Sequence, residues 1–450
     1  MNSNTAQLTS GIKLGWAIGE LAIAVYIGIT MAFFLFYLTE VLKISPVWAG
    51  TVLLVPRLWD AFTDPFMGAI SDRTRSSMGR RRPYLLVGSI LFGVSFWLVL
   101  SPPPVESELG KAIYFTCMYM LVSTCYTIFD VPYSSMAAEM SSDYKERVNL
   151  TGYKMMAARL GIIVAAMIGP IIYNSQDSLQ EGFALLGAVG GVFITVTGLV
   201  AFFATRNAPR LDVVPQRFRL RDELSAIIRN RPFANLFLVF LLQNLAIGAS
   251  ATALIYFLTI TMQVGATMIG PLFAIAGVAA LLATPGWVYI GNRLGKKKAY
   301  ARAMTINLVM AISLFFLPPS LAMLLFGVYV INGFADAGNQ LMPNSMVPDT
   351  VEVDELESGV RREGAIFGAW AFCRKTGMAG GAFLASLCFS AFGFVSGAET
   401  QTAEASWGIR VAFSALPFVL WFFAIRLLAR YELSEEKFNA IKSRLKASTR

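Results

Sequence analysis

The stretch "RLWDAFTDPFMGAISDRT" (residues 57–74) decides how the chain is read: it continues an apolar run that starts near Val47, yet carries Arg57, Asp60 and Asp64. A carboxylate at the centre of a bilayer costs at least ~3 kcal/mol on insertion scales. Asp60 and Asp64 are four residues apart and Arg57 precedes Asp60 by three. On a helix all three therefore project to one side. Pro65 removes a backbone donor and frees the carbonyl near Ala61, a neutral oxygen beside the two carboxylates. Hard cations take clustered oxygens, and carboxylates inside a membrane mark ion paths. The competing reading is a structural ion pair, in which Arg57 neutralises one aspartate and leaves the other uncompensated.

Working outward, the chain has 450 residues, of which 56% are hydrophobic and 14% charged, with a mean hydropathy of +0.59. A soluble domain carries about 25% charged residues, so this composition belongs in lipid. The 37 glycines suit close helix packing there. The net charge of +9 resides in loops beside apolar runs. That is the pattern of membrane orientation and not of a nucleic-acid-binding face. Histidine is absent, which excludes histidine metal ligands, Ser-His-Asp triads and histidine proton relays. Cys117, Cys125, Cys373 and Cys388 lie in apolar runs without C-x-x-C spacing and read as small core residues. The polar first dozen residues have neither a basic n-region nor a cleavage site, so the first span is expected to stay as an anchor.

A membrane-crossing helix needs about 20 mostly apolar residues. Twelve stretches qualify: 14–40, 47–71, 83–101, 111–136, 153–174, 182–204, 233–261, 267–291, 299–318, 321–343, 363–393 and 407–430. They are long and lack period-2 alternation, which predicts helices and not a barrel. Loop 72–82 holds Arg73, Arg75, Arg80, Arg81 and Arg82, loop 205–231 holds seven arginines, and loop 292–298 holds Arg293 and Lys296 to Lys298. The intervening loops are nearly uncharged or mildly acidic, so both termini are expected in the cytoplasm.

Loop 205–231 divides the chain six spans from six, and "RFRLRDELSAIIRNRPF" has the spacing of a short amphipathic helix on the inner membrane face. The expected organisation is a six-helix bundle over 1–204, the linker 205–231, a second bundle over 232–430 and a basic tail over 431–450. The halves echo each other: G68-x-x-x-D72-R73 with G79-R80-R81-R82 after span two, and N292-R293-L294-G295-K296-K297-K298 after span eight. Duplicated six-span halves are a transporter signature, and such proteins bind substrate near the midplane. Further charges fall inside spans: Glu20 in the first, Asp130 in the fourth, Asp336 in the tenth, and Arg374 and Lys375 in the eleventh. Glu20 and Asp130 read either as hydrogen-bonding groups for a polar solute or as helix-to-helix glue. Lys375 is expected to pair with Asp60 or Asp64 and to give way to a bound cation. Arg374 either faces the solute or reaches the interface, and Asp336 either does likewise or pairs with Arg374.

Three ordered motifs, "RLWDAFTDPFMGAISDRT" followed by "GRRRPYLL", "DVPYSSM" followed by "DYKERVNLTGYK", and "PDTVEVDELESGVRREGAIFGAWAFCRK", resemble the glycoside-pentoside-hexuronide:cation symporter family. This is the melibiose-permease branch of the major facilitator superfamily, and the likeness runs through nearly the whole chain. It implies an all-α integral membrane protein with twelve transmembrane helices in two pseudo-symmetric six-helix bundles. The implied cation site is Asp60 and Asp64, for Na⁺, Li⁺ or H⁺, with Lys375 close by. The implied solute site includes Glu20, one methylene longer than the family's aspartate, and Asp130. Ser134 replaces a tryptophan that stacks on sugar in the family, and Lys154 replaces an arginine near the start of span five; with Arg374 and Asp336 these complete the expected solute-facing set. Arg57, Asp72, Arg73, Arg80, Arg147 and Arg362 are the expected gating residues.

The lost tryptophan leaves two solute classes open: a glycoside-like solute, or a lysophospholipid as moved by the family's animal sodium-dependent lysolipid symporters. No cofactor beyond the coupling ion is expected. Partners are a small solute and the bilayer, with no nucleic acid, and the expected unit is a monomer in the plasma membrane, the inner membrane of a bacterium. A membrane enzyme would need a nucleophile elbow, a Walker loop or a catalytic domain that this sequence lacks. A non-transporting receptor would have no use for Asp60, Asp64 and Lys375 inside spans.

Overall fold

Lipid offers no water to unpaired backbone groups, so long apolar runs close their hydrogen bonds internally as helices. The computed structural model describes residues 8–141, 144–209, 230–358, 363–398, 400–433 and 437–438, and among these every long regular element is helical. The chain divides into two compact units, Met1–Gln216 with Val395–Glu399, and Arg217–Phe394 with Thr400–Arg450. The first holds α1 (Ser10–Phe36), α2 (Pro46–Arg73), α3 (Arg82–Val99), α4 (Glu108–Met140), α5 (Tyr144–Tyr173) and α6 (Leu179–Thr205). The second holds α7 (Arg231–Tyr256), α8 (Ala266–Leu294), α9 (Lys296–Phe315), α10 (Leu324–Ser358), α11 (Glu363–Ala391) and α12 (Ala403–Ala429, with a π turn at Val411–Ala415). The amphipathic helix expected in loop 205–231 falls mainly on residues 210–229, which, like Arg362, lie outside the described residues; the last residues of its stretch, Arg231 to Phe233, open α7.

Helix starts follow the local chemistry. The side chains of Thr9, Ser107, Ser178, Asn230 and Thr402 accept from the backbone N–H three residues on, satisfying donors that the first turn leaves free. Among the described residues, eight helices are long and apolar enough to cross a membrane. The four outside that set, α2, α9, α10 and α11, are rich in charged or polar side chains, among them Asp60 and Asp64, Lys296 to Lys298, Asp336, and Arg374 with Lys375. Helix α10 also runs well past the apolar stretch that ends near residue 343, because a helix needs internal hydrogen bonds but not lipid to continue.

The echo between the halves is three-dimensional. Helices α1 and α7 both end in a π turn, Tyr37–Val41 and Phe257–Thr261, 220 residues apart. Each is followed by a left-handed non-glycine residue, Lys43 (φ 57°) and Gln263 (φ 53°). The loops after α2 and α8 turn on Gly79 (φ 93°) and Gly295 (φ 81°), a conformation that glycine adopts without steric cost. The next basic residue pairs with the far end of the unit's fourth helix: Arg80 with Glu139 at 2.9 Å and Lys296 with Asp349 at 2.7 Å, partners 210 residues apart.

Small residues let helices touch backbone to backbone. A Cβ on Gly93 of α3 would collide with the carbonyl oxygen of Gly191 on α6, and one on Gly191 would lie 2.5 Å from that of Gly93. We predict that Gly93→Ala forces α3 and α6 apart at a cost of about 1–3 kcal/mol. The purified variant should melt several degrees lower in a tryptophan-fluorescence ramp; an unchanged melting temperature would contradict this crossing. In the second unit, Tyr300 donates to Gln243 at 2.6 Å and Gln243 to the Asn339 carbonyl at 3.1 Å. This buried polar chain holds α7, α9 and α10 together where lipid supplies no competing water.

Candidate functional site

The first unit contains two polar clusters built on one helix. Positions 123 and 127 of α4 share a face, as do 126, 130 and 134, and the two faces look toward different neighbours. Ser123 donates to Asp60 Oδ1 at 2.5 Å, and Thr127 donates to Asp64 Oδ1 at 2.7 Å. The four-residue step of α2 is thus matched by a four-residue step of α4, so that two hydroxyls meet two carboxylates in register. Asp60 is 1% exposed, whereas Asp64 is half-buried.

Arg57 completes this cluster. Its Nη1 lies 3.3 Å from Asp60 Oδ2, and its Nη2 donates to the Tyr119 hydroxyl at 2.8 Å. The guanidinium also sits 5.8 Å from the Tyr26 ring centre and 5.4 Å from that of Tyr119, so aromatic faces share its charge. The structural ion pair considered from the sequence therefore exists, and it engages Asp60. Asp64 is the carboxylate more open to its surroundings. Among the described residues no group of three or more His, Cys, Asp or Glu could hold a metal ion. Two carboxylates flanked by two hydroxyls instead form an oxygen set suited to a hard monovalent cation or a proton.

The second cluster lies where α1, α4 and α5 meet. Asp130 accepts from Tyr126 at 2.9 Å through Oδ2 and from Ser134 at 2.9 Å through Oδ1. Lys154 of α5 donates to the Ser134 hydroxyl at 2.8 Å and lies 3.4 Å from a Glu20 carboxylate oxygen. Its ammonium also stands 5.2 Å from the Tyr133 ring centre. Trp16 stacks on Tyr133 at 5.1 Å, and the two exchange hydrogen bonds with each other's backbone carbonyls, which fixes α1 against α4 at this level. Glu20, Asp130, Ser134 and Lys154 are thus brought together as one network. The rings of Tyr26 and Tyr126 lie 5.3 Å apart, which puts the two clusters in contact through aromatic side chains.

Uncharged residues stand at the corresponding positions of the second unit. Phe240, 220 residues after Glu20, stacks on Trp370 at 3.7 Å, and the Trp370 indole donates to Asn344, 210 residues after Ser134, at 2.9 Å. An ion pair with a polar relay in one half is an aromatic stack with a polar relay in the other. Arg374 is exposed on α11, and Lys375 and Asp336 are half-buried on α11 and α10 of the second unit.

Of the gating set, Asp72 pairs with Arg81, while Arg80 and Arg81 share Glu139 at 2.9 Å and 2.7 Å. These pairs tie the loop after α2 to the end of α4 within the first unit. Arg73 is exposed, and Arg147 lies in α5 with its side chain outside the described set. Sequence reasoning missed Tyr26, Tyr119, Ser123, Tyr126 and Thr127. The available signal was spacing: 123 and 127 repeat the step of Asp60 and Asp64, and Tyr126 stands one turn before Asp130.

A family model described as MFS/sugar transport protein matches residues 15–435. The chain is 30% identical over 448 residues to an uncharacterized symporter of Bacillus subtilis (strain 168), covering 97% of this chain and 95% of the relative. It is 28% identical to the glucuronide carrier protein homolog of Escherichia coli (strain K12), over 97% of this chain and 95% of that one. It is 26% identical to the sodium-dependent lysophosphatidylcholine symporter 1-B of Danio rerio, over 94% and 87%. Its fold is that of a solved nucleoside transporter, NupG, with a TM-score of 0.67 at 13% identity over 92% of this chain and 99% of that one. The chain is a multi-pass protein of the plasma membrane. It belongs to the MFS/sugar transport protein family, among the glycoside-pentoside-hexuronide-type symporters.

Proposed function

We propose that the chain is a cation-coupled symporter that uses Asp60 and Asp64 to bind Na⁺ or H⁺ and the Glu20–Lys154–Ser134–Asp130 network to bind a hydroxyl-rich, glycoside-like solute. The observation that carries this reading is the in-register match of two carboxylates on α2 with two hydroxyls on α4, beside Arg57, which pairs with Asp60. Asp64, half-buried and held by the Thr127 hydroxyl, adds a second carboxylate to this oxygen set, which suits an exchangeable cation. The proposal extends to twelve spans with both termini in the cytoplasm, to a monomer without catalytic activity, and to alternating access by the two halves. Lys375 is proposed to act with the cation site and Arg374 and Asp336 with the solute. Arg57, Asp72, Arg73, Arg80, Arg147 and Arg362 are proposed to serve the gating steps.

The second reading is a lysophospholipid as solute. It draws on Ser134, which gives no ring for a pyranose to stack on, and on the lysophosphatidylcholine symporter among the relatives. Two carboxylates in one small network favour a solute with several hydroxyl donors, which is why the glycoside reading stands first. Uptake of a radiolabelled glucuronide and of lysophosphatidylcholine into proteoliposomes, each under an imposed Na⁺ or H⁺ gradient, tests both. We expect gradient-driven accumulation of the glucuronide. Accumulation of the lysolipid alone would move the chain to the second reading, and indifference of both solutes to either gradient would end the symport proposal.

A further inference from the structure

A cavity of about 590 Å³ opens beside the loop that follows α2, and five guanidinium groups, Arg73, Arg75, Arg80, Arg81 and Arg82, line it against two carboxylates, Asp72 and Glu139. Both carboxylates are already engaged: Asp72 by Arg81, and Glu139 by Arg80 and Arg81. Arg81 donates further to Ser71 at 2.7 Å, and Arg82 donates to the Ala208 carbonyl at 2.8 Å, so these side chains are held as a frame. Arg73 and Arg75 are exposed and enter no hydrogen bond or ion pair among the described residues. The cavity therefore keeps an excess of positive charge, with two guanidinium groups at its mouth free to take an anion.

The surface leading to this mouth is apolar. Trp59, Phe62, Phe66 and Ile70 are 41%, 73%, 68% and 39% exposed, and with Arg73 they follow steps of three and four residues along one face of α2. From Trp59 to Arg73 that face rises about 21 Å, enough to cover the ~15 Å hydrocarbon depth of one leaflet. The same face of one helix thus joins a leaflet-long apolar stripe to a cationic mouth. A soluble anion would use only the second part. A phospholipid uses both, since guanidinium groups bind phosphate oxygens in bidentate fashion and basic clusters at membrane level attract anionic headgroups.

We propose that this end of α2 is a binding site for an anionic phospholipid, its phosphate held by Arg73 and Arg75 at the cavity mouth and an acyl chain laid along Trp59, Phe62, Phe66 and Ile70.

Trp59 sits on the stripe and reports directly. The full-length protein is reconstituted in phosphatidylcholine with a rising fraction of phosphatidylglycerol brominated on its chains, and the Trp59 signal is taken as the difference from Trp59→Phe. We expect quenching at a phosphatidylglycerol fraction at least tenfold below that needed of brominated phosphatidylcholine. Arg73→Ala with Arg75→Ala should erase that preference, a loss of up to about 30-fold for two charges near the surface, and Arg73→Lys with Arg75→Lys should retain most of it. Equal quenching by the two lipids, or a preference unchanged in the double alanine variant, would overturn the proposal. Release of the quench by millimolar inorganic phosphate would also overturn it, showing a site for a soluble anion instead.

Discussion

Asp64→Asn abolishes gradient-driven uptake and weakens the apparent cation affinity at least 100-fold, about 3 kcal/mol at 1.4 kcal/mol per decade. The expectation follows from the geometry of α2 and α4. The variant removes one of two carboxylates from the proposed cation site while keeping its shape, and the amide carbonyl it introduces can still accept from Thr127, as the Asp64 carboxylate does at 2.7 Å. Asp60 is a poorer test, because it is 1% exposed and pairs with Arg57 at 3.3 Å. Neutralising it removes the partner of a partly buried guanidinium, which costs up to about 3–5 kcal/mol and mixes folding with function.

Linkage adds a second readout. If the cation tightens solute binding, the solute tightens cation binding by the same factor. Asp64→Asn must then remove the cation dependence of solute binding, as well as transport. The checks are Na⁺ titrations of solute binding and gradient-driven uptake in proteoliposomes. Uptake and cation dependence that both survive Asp64→Asn would show the aspartate pair to be structural.

The second large effect concerns the solute. Asp130 accepts from both Tyr126 and Ser134, which points its two oxygens and leaves its remaining lone pairs for a ligand. Asp130→Asn replaces one acceptor oxygen by an amino group and removes the charge that strengthens each remaining hydrogen bond. A charge-assisted hydrogen bond is worth about 1.5–3 kcal/mol, so solute affinity should fall roughly 10- to 100-fold with the maximal cation affinity little changed. Tyr126→Phe keeps the charge and frees one oxygen, and its effect should stay below about tenfold. A glucuronide, whose hydroxyl donors meet the carboxylate, should feel the full loss; a lysolipid anchored by its chain should not. Uptake assays of both solutes with both variants give the answer, and an Asp130→Asn variant with unaltered glucuronide affinity would remove Asp130 from the solute site.

The helical class, the crowding of charge into a few spans and the shared face of Arg57, Asp60 and Asp64 were legible in the sequence, because each depends on residues within a turn or two of one another. The repeat of G79-R80 in G295-K296 was legible for the same reason, and the structure shows matching left-handed glycines and matching ion pairs to the fourth helix of each unit. Partner choice was not local. Ser123 and Thr127 lie 63 residues from the aspartates they serve, and hydroxyl residues are common in membrane helices, where most bond their own backbone as Thr124 does to Met120. Only the packing of α2 on α4 separates the two kinds.

Packing also decided that Arg57 pairs with Asp60, that Thr127 donates to Asp64, that Lys154 bridges Glu20 and Ser134, and that Phe240 and Trp370 fill the matching place in the second unit. By itself the sequence determined that this chain is helical and carries ionisable groups within apolar runs. The tertiary structure alone decided which of those groups face one another, since burial in lipid rewards any helix but a charge is tolerated only against the partner that packing brings to it.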